Sequence, residues 1–142
     1  MEKSQDQREI LLVDDDPDYT EITRTRLEAS GYQVLCASNG REAIELLQGK
    51  SRPSLIILDI EMPDQNGLTA LINLNVKGKI RREGEENAGT AIPVVVATGL
   101  QSGQIRELIM RHQISAYLQK PYSSEELLRT VKQLIGEPTA KL

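Results

Sequence analysis

Ile10-Leu11-Leu12-Val13-Asp14-Asp15-Asp16 decides the fold: four apolar residues run straight into three acids. A run this short, continuous and apolar reads as a strand buried on both faces, the habit of parallel sheets. Working outward, the pattern recurs. Leu55-Ile56-Ile57-Leu58 stops at Asp59, Pro93-Val94-Val95-Val96-Ala97 stops at Thr98, and Ala116-Tyr117-Leu118 leads through Gln119 to Lys120-Pro121. In an open parallel sheet the carboxyl ends of the strands share one edge, and ligands bind there. The sequence therefore predicts carboxylates, a hydroxyl and an ammonium at one rim, a set suited to a divalent cation and a phosphoryl group.

Helix-like segments separate these strands. Asp16 is placed to cap a helix that starts at Pro17, faces the core with Ile22, Leu27 and Ala29, and ends at Gly31. Gln33–Ala37 reads as a second strand. Asn39–Gln48 reads as a second helix, capped by Asn39 or Ser38, with Ala43, Ile44 and Leu47 inward and Gly49 as its stop. Asn66-Gly67 opens a third, bearing Leu68, Leu71, Ile72 and Leu74, and Ser102–His112 forms a fourth with Ile105, Leu108 and Ile109 inward. In the last, Ser123–Ile135, Glu126 stands at capping-box spacing from Ser123 and Gly136 closes the helix. Five strands alternating with five helices imply an α/β three-layer sandwich, a doubly wound, flavodoxin-like (βα)5 fold with right-handed crossovers. Strand order 2-1-3-4-5 suits it best and makes Asp14, Asp15 and Asp59 neighbours at the switch point. The expected division is a polar extension over 1–9, one domain over 10–136 and a short tail over 137–142. Lys77 to Gly89, glycine-punctuated and charged, reads either as part of a long third helix with a surface extension or as a flexible loop.

At 142 residues, 39% hydrophobic and 27% charged, the chain fits one globular domain. A net charge of -4, with no Trp or Phe, argues against nucleic-acid binding. The single Cys36 rules out an intrachain disulfide and reads as a small buried hydrophobe. No stretch approaches a membrane span, and the polar start is unlike a signal peptide, so a cytoplasmic protein is expected.

Three converging acids repel one another unless a cation sits among them. Oxygen ligands without His or Cys point to a hard ion, and Mg²⁺ is the usual choice beside phosphate. Asp15 and Asp59 are the expected direct ligands with a backbone carbonyl, that of Glu61, as a third; Asp14 acts through water or as an outer acceptor. A carboxylate can also attack phosphorus and form an aspartyl phosphate. Asp59 suits that role, with Lys120 and Thr98 placed to meet phosphoryl oxygens.

Asp14-Asp15, Asp59 within LDIEMPDQNG, Thr98 and Lys120-Pro121, in this order, resemble the receiver domain of two-component response regulators. The likeness runs from Ile10 to Ile135. It implies that Asp59 accepts phosphate from a phosphohistidine on a sensor histidine kinase or histidine phosphotransfer protein. It also implies that Asp14 and Asp15 hold Mg²⁺, that Lys120 contacts the phosphate, and that Thr98 and Tyr117 act as switch residues. A cis Lys120-Pro121 bond is implied too. Thr98 would move toward the phosphoryl group, Tyr117 would rotate inward, and a partner-binding surface would change as a population shift. Output then passes to an effector protein that the sequence does not name; a homodimer stays open.

Some features depart from the family pattern. Gly99 replaces a common Ala, His112-Gln113-Ile114-Ser115 lacks the usual Gly-Ala turn, and the stretch from Asp59 to Thr98 is long. Glu61 and Leu100 flank the path of a hydrolytic water. Asp16 and Asp18 read as cap and turn residues, and His112 as a surface residue near a helix C-terminus. Three rival functions stand beside this one: a docking module of the same fold that takes no phosphate, a phosphatase of the haloacid-dehalogenase type with Asp14 as nucleophile, and a flavin carrier of the flavodoxin type. The full acid set disfavours the first. Asp18, where a Thr or Val is wanted, disfavours the second. Acids in place of a phosphate-binding loop disfavour the third.

Overall fold

In the computed structural model, residues 8–49, 53–61, 69–73, 92–99 and 114–138 are described. Five strands, β1 (Glu9–Val13), β2 (Gln33–Ala37), β3 (Leu55–Asp59), β4 (Val94–Thr98) and β5 (Ala116–Gln119), form one sheet. Its order is β2-β1-β3-β4-β5 and every pairing is parallel. The expected order is thus observed, and strand bounds agree to within a residue.

Burial follows position in the sheet. All of β3 and β4 is buried, whereas the edge strands β2 and β5 are partly exposed. Successive side chains in a strand point to opposite faces, and the core divides accordingly. Leu11, Val13, Ile56, Leu58, Val94 and Val96 face helix α2 (Gly40–Gln48) and helical residues 69–73 through Ala43, Leu47, Leu71 and Ile72. Ile10, Leu12, Leu55, Ile57, Val95 and Ala97 face helix α1 (Pro17–Ala29) and the C-terminal helix (Ser124–Ile135) through Leu27, Leu127 and Val131. This is the doubly wound three-layer arrangement.

The helix ends are set by local chemistry. Asp16 accepts from the Asp18 and Tyr19 amides, with Pro17 inside the first turn. Asn39 accepts from the Glu42 amide, which settles the choice between Asn39 and Ser38. Ser123 and Glu126 form the full capping box.

Two expectations are corrected. On α1 the inward residues are Thr23 and Leu27; Ile22 is 49% exposed and Ala29 also faces outward. The inward stripe follows the i, i+4 rows from Tyr19, and it holds a polar residue because the Thr23 hydroxyl meets the Tyr122 hydroxyl at 2.9 Å. Cys36 is exposed, because it lies on the edge strand β2. The expected residues at Asn66-Gly67, Leu68 and Leu74, the 77–89 segment, Leu100 and Ser102–His112 lie outside the described residues.

Gly31 follows α1 with φ of 102°, a conformation that costs any residue bearing a Cβ. A Cβ there would also stand 2.9 Å from Pro138 Cγ. Gly31→Ala is expected to destabilise by about 2 kcal/mol, lowering Tm by roughly 8 °C in a thermal scan.

Candidate functional site

Parallel register delivers the rim residues to one place. Val13 pairs with Leu58, Asp59 with Ala97, and Thr98 with Gln119, so the strands end level. Asp14 continues β1, held by its amide to the Ala37 carbonyl at 3.1 Å. Lys120 follows β5, its amide donating to the Thr98 carbonyl at 2.7 Å. The Lys120-Pro121 bond is cis.

Carboxylate oxygens of Asp14, Asp15 and Asp59 lie within 4.8 Å of one another. Asp14 and Asp59 are buried, while Asp15 is exposed. Each oxygen of the buried pair has work. Asp14 Oδ1 accepts from the Asp16 amide at 3.0 Å, and Asp59 Oδ1 from the Glu61 amide at 2.9 Å. The other two oxygens share one cation: Lys120 Nζ donates to Asp14 Oδ2 at 3.1 Å and to Asp59 Oδ2 at 3.3 Å.

Burial pushes the Asp59 carboxyl up; the Glu61 amide and Lys120 oppose this, and the Asp14 charge adds to it. For Lys120, burial works to lower the pKa, but the bonds and charges of Asp14 and Asp59 win and raise it. One ammonium therefore does not fully offset the crowding of acid. Three hard oxygen donors converging on one point, with Asp15 open to solvent, fit a hard divalent cation that keeps part of its water.

Thr98 is fully buried at the end of β4. Its hydroxyl donates to Glu61 Oε2, and the Gly99 amide donates to the same oxygen. Tyr117 on β5 is 36% exposed, so its ring rests outward.

Two site residues escaped the sequence. The Tyr19 ring lies 4.2 Å from Lys120 Nζ, and Tyr122 packs edge-on against Tyr19 at 5.4 Å. Together they steer the ammonium toward the carboxylates, the cation resting on a π face. A signal existed, since Tyr19 falls in the first turn after the acids and Tyr122 two places after Lys120. The Glu61 side chain is the other surprise: the sequence pointed to its carbonyl and to a water path, not to a carboxylate bonded across to β4.

A five-stranded doubly wound sheet carries two buried acids, an exposed acid, a hydroxyl and a lysine at its carboxyl edge, a set chemically suited to a divalent cation and an anionic group. The chain matches the response regulator receiver domain family over residues 10–132, and it belongs to that family. Among its relatives is the polar-differentiation response regulator DivK of Brucella anthropi, 29% identical over 92% of this chain and 98% of DivK. A response regulator receiver protein from Burkholderia phymatum has a structure that superposes with TM-score 0.74 at 28% identity, covering 96% of this chain and 100% of that one. The receiver domain of sensor histidine kinase PA1611 from Pseudomonas aeruginosa superposes with TM-score 0.71 at 26% identity, covering 92% and 99%; that structure holds a magnesium ion in its active-site cleft. Receiver domains are signalling modules that work with histidine kinases and downstream effectors. No helix among the described residues is long and apolar enough to cross a membrane.

Proposed function

We propose that this chain is a phosphoacceptor switch in which Asp59 takes a phosphoryl group from a phosphohistidine on a sensor kinase or phosphotransfer protein. The observation that carries this reading is the Asp14-Lys120-Asp59 bridge at the rim beside Asp15. An Asp59 oxygen forms the new P–O bond as the P–N bond to imidazole breaks, and the leaving nitrogen keeps the electron pair. Asp14, Asp15, Asp59 and the Glu61 carbonyl would hold Mg²⁺, which supplies neutralisation of oxygen charge. Lys120, already on an Asp59 oxygen, meets a phosphoryl oxygen, and the Thr98 hydroxyl meets another. The reaction therefore needs little more than positioning of groups already in place.

Output follows from the switch residues. Thr98 moves toward the new charge, and the outward Tyr117 turns into the space vacated. This biases the surface around β5 toward an effector-binding state. The switching unit spans residues 10–136, flanked by the 1–9 extension and the 137–142 tail, and acts in the cytoplasm without nucleic acid of its own.

The test is intact mass after incubation with acetyl phosphate and Mg²⁺. A phosphoryl-sized gain is expected in the wild type, absent in Asp59→Asn and suppressed by chelator. An unchanged gain in Asp59→Asn would overturn the reading.

A further inference from the structure

We infer that Glu61 is a built-in occupant of the phosphoryl position: its carboxylate holds the Thr98 hydroxyl and the Gly99 amide that a phosphoryl oxygen on Asp59 would otherwise engage. This rests on the phosphoacceptor reading and adds a resting-state competitor to it.

The geometry is specific. Both donors at the end of β4 converge on one oxygen, Glu61 Oε2. A hydroxyl has a single proton to give, and the Thr98 proton is given to Glu61. The backbone of the fully buried Thr98 is held in β4, so its hydroxyl changes partner by a turn of the side chain alone. Glu61 is exposed and can leave toward water. Its amide meanwhile donates to Asp59 Oδ1, which ties the residue to the acceptor whether or not the side chain stays.

Charge gives the competition its direction. Asp14, Asp15, Asp59 and Glu61 surround the rim, and Lys120 bridges only two of them. A phosphoryl group on Asp59 replaces the single carboxylate charge by close to two, a net gain of about one negative charge at the rim. It cannot share the Thr98 and Gly99 donors with a carboxylate, so phosphorylation must expel the Glu61 side chain. Glu61 is therefore a positioning residue that holds Thr98 in its resting orientation and taxes entry of phosphate.

The experiment compares initial rates of phosphoryl adduct formation with acetyl phosphate and Mg²⁺, read by intact mass. It uses the full chain as wild type, Glu61→Gln and Glu61→Ala, each also in a Thr98→Val background. With Thr98 present, both substitutions are expected to raise the rate, Glu61→Ala by about tenfold, the size of one charge-assisted hydrogen bond. In the Thr98→Val background the gain is expected to shrink to about threefold or less, because freeing an absent hydroxyl changes nothing. A loosened loop would alter both backgrounds alike, and an equal gain in both would overturn the inference. Unchanged or slower rates in the Glu61 variants would also overturn it while leaving Asp59 as acceptor. No adduct in any protein would overturn the phosphoacceptor reading and this inference together.

Discussion

Lys120→Met is expected to tighten Mg²⁺ binding while slowing phosphoryl transfer, two effects of opposite sign from one substitution. The ammonium lies 3.1 Å from Asp14 and 3.3 Å from Asp59, so a cation entering among these acids must share them with Lys120. Like charges at this range repel by several kcal/mol at a partly buried site before salt screening. Removing one is expected to improve Mg²⁺ affinity by about tenfold, equivalent to 1.4 kcal/mol, in titration calorimetry. The same change deletes the donor that, in the proposed reaction, meets the phosphoryl oxygens as charge develops. Loss of one such preorganised donor costs about 10²–10³ in rate. Weaker Mg²⁺ binding in Lys120→Met would show that the lysine shapes the metal site rather than competing for it.

The second large effect is a reversal of pH dependence by metal. Asp59 has its carboxyl pushed above the ordinary value, first by burial and then by Asp14. For an acid whose pKa is raised on folding, the native state resists ionisation. Its penalty is absent below the unfolded value near 3.9 and grows to full size as pH rises through the folded one. Metal-free protein should therefore carry an Asp59 penalty at neutral pH. Mg²⁺ requires the ionised acids and competes with protons for them. It should stabilise strongly near neutrality and hardly at all at about pH 4. Ten times its Kd of free Mg²⁺ gives about 1.4 kcal/mol, or roughly 5 °C in Tm. Asp15→Asn should remove most of that gain. Stabilisation by Mg²⁺ that persists undiminished in acid would contradict the assignment of the metal to these carboxylates.

Most of the fold was legible because it rests on patterns with a short range. Apolar runs of strand length, caps at Asp16, Asn39 and Ser123, and glycines after Ala29 and Ile135 each carry their own signal in a few residues. Strand order followed from the connections, and the rim residues followed from strand order. What stayed hidden depends on contacts between distant segments. Thr23 looks like a surface residue until Tyr122, 99 positions later, supplies its hydrogen bond. Cys36 looks like core from its residue type alone, although the expected strand order already puts Gln33–Ala37 at an edge. Tyr19 reveals its role only when Lys120 arrives over its ring. The Glu61 carboxylate reaches Thr98, 37 positions away, across a gap that no local pattern describes.

The central claim is that Asp59 is the nucleophile, and the most direct measurement is the position of the acyl phosphate. Borohydride reduces an aspartyl phosphate to homoserine, and peptide mass mapping then locates it. Modification at position 59, dependent on Mg²⁺ and on a phosphoryl donor, is the result expected. Modification at Asp14 or Asp15 instead would contradict the account and move the chain toward the chemistry of an aspartate-nucleophile phosphatase.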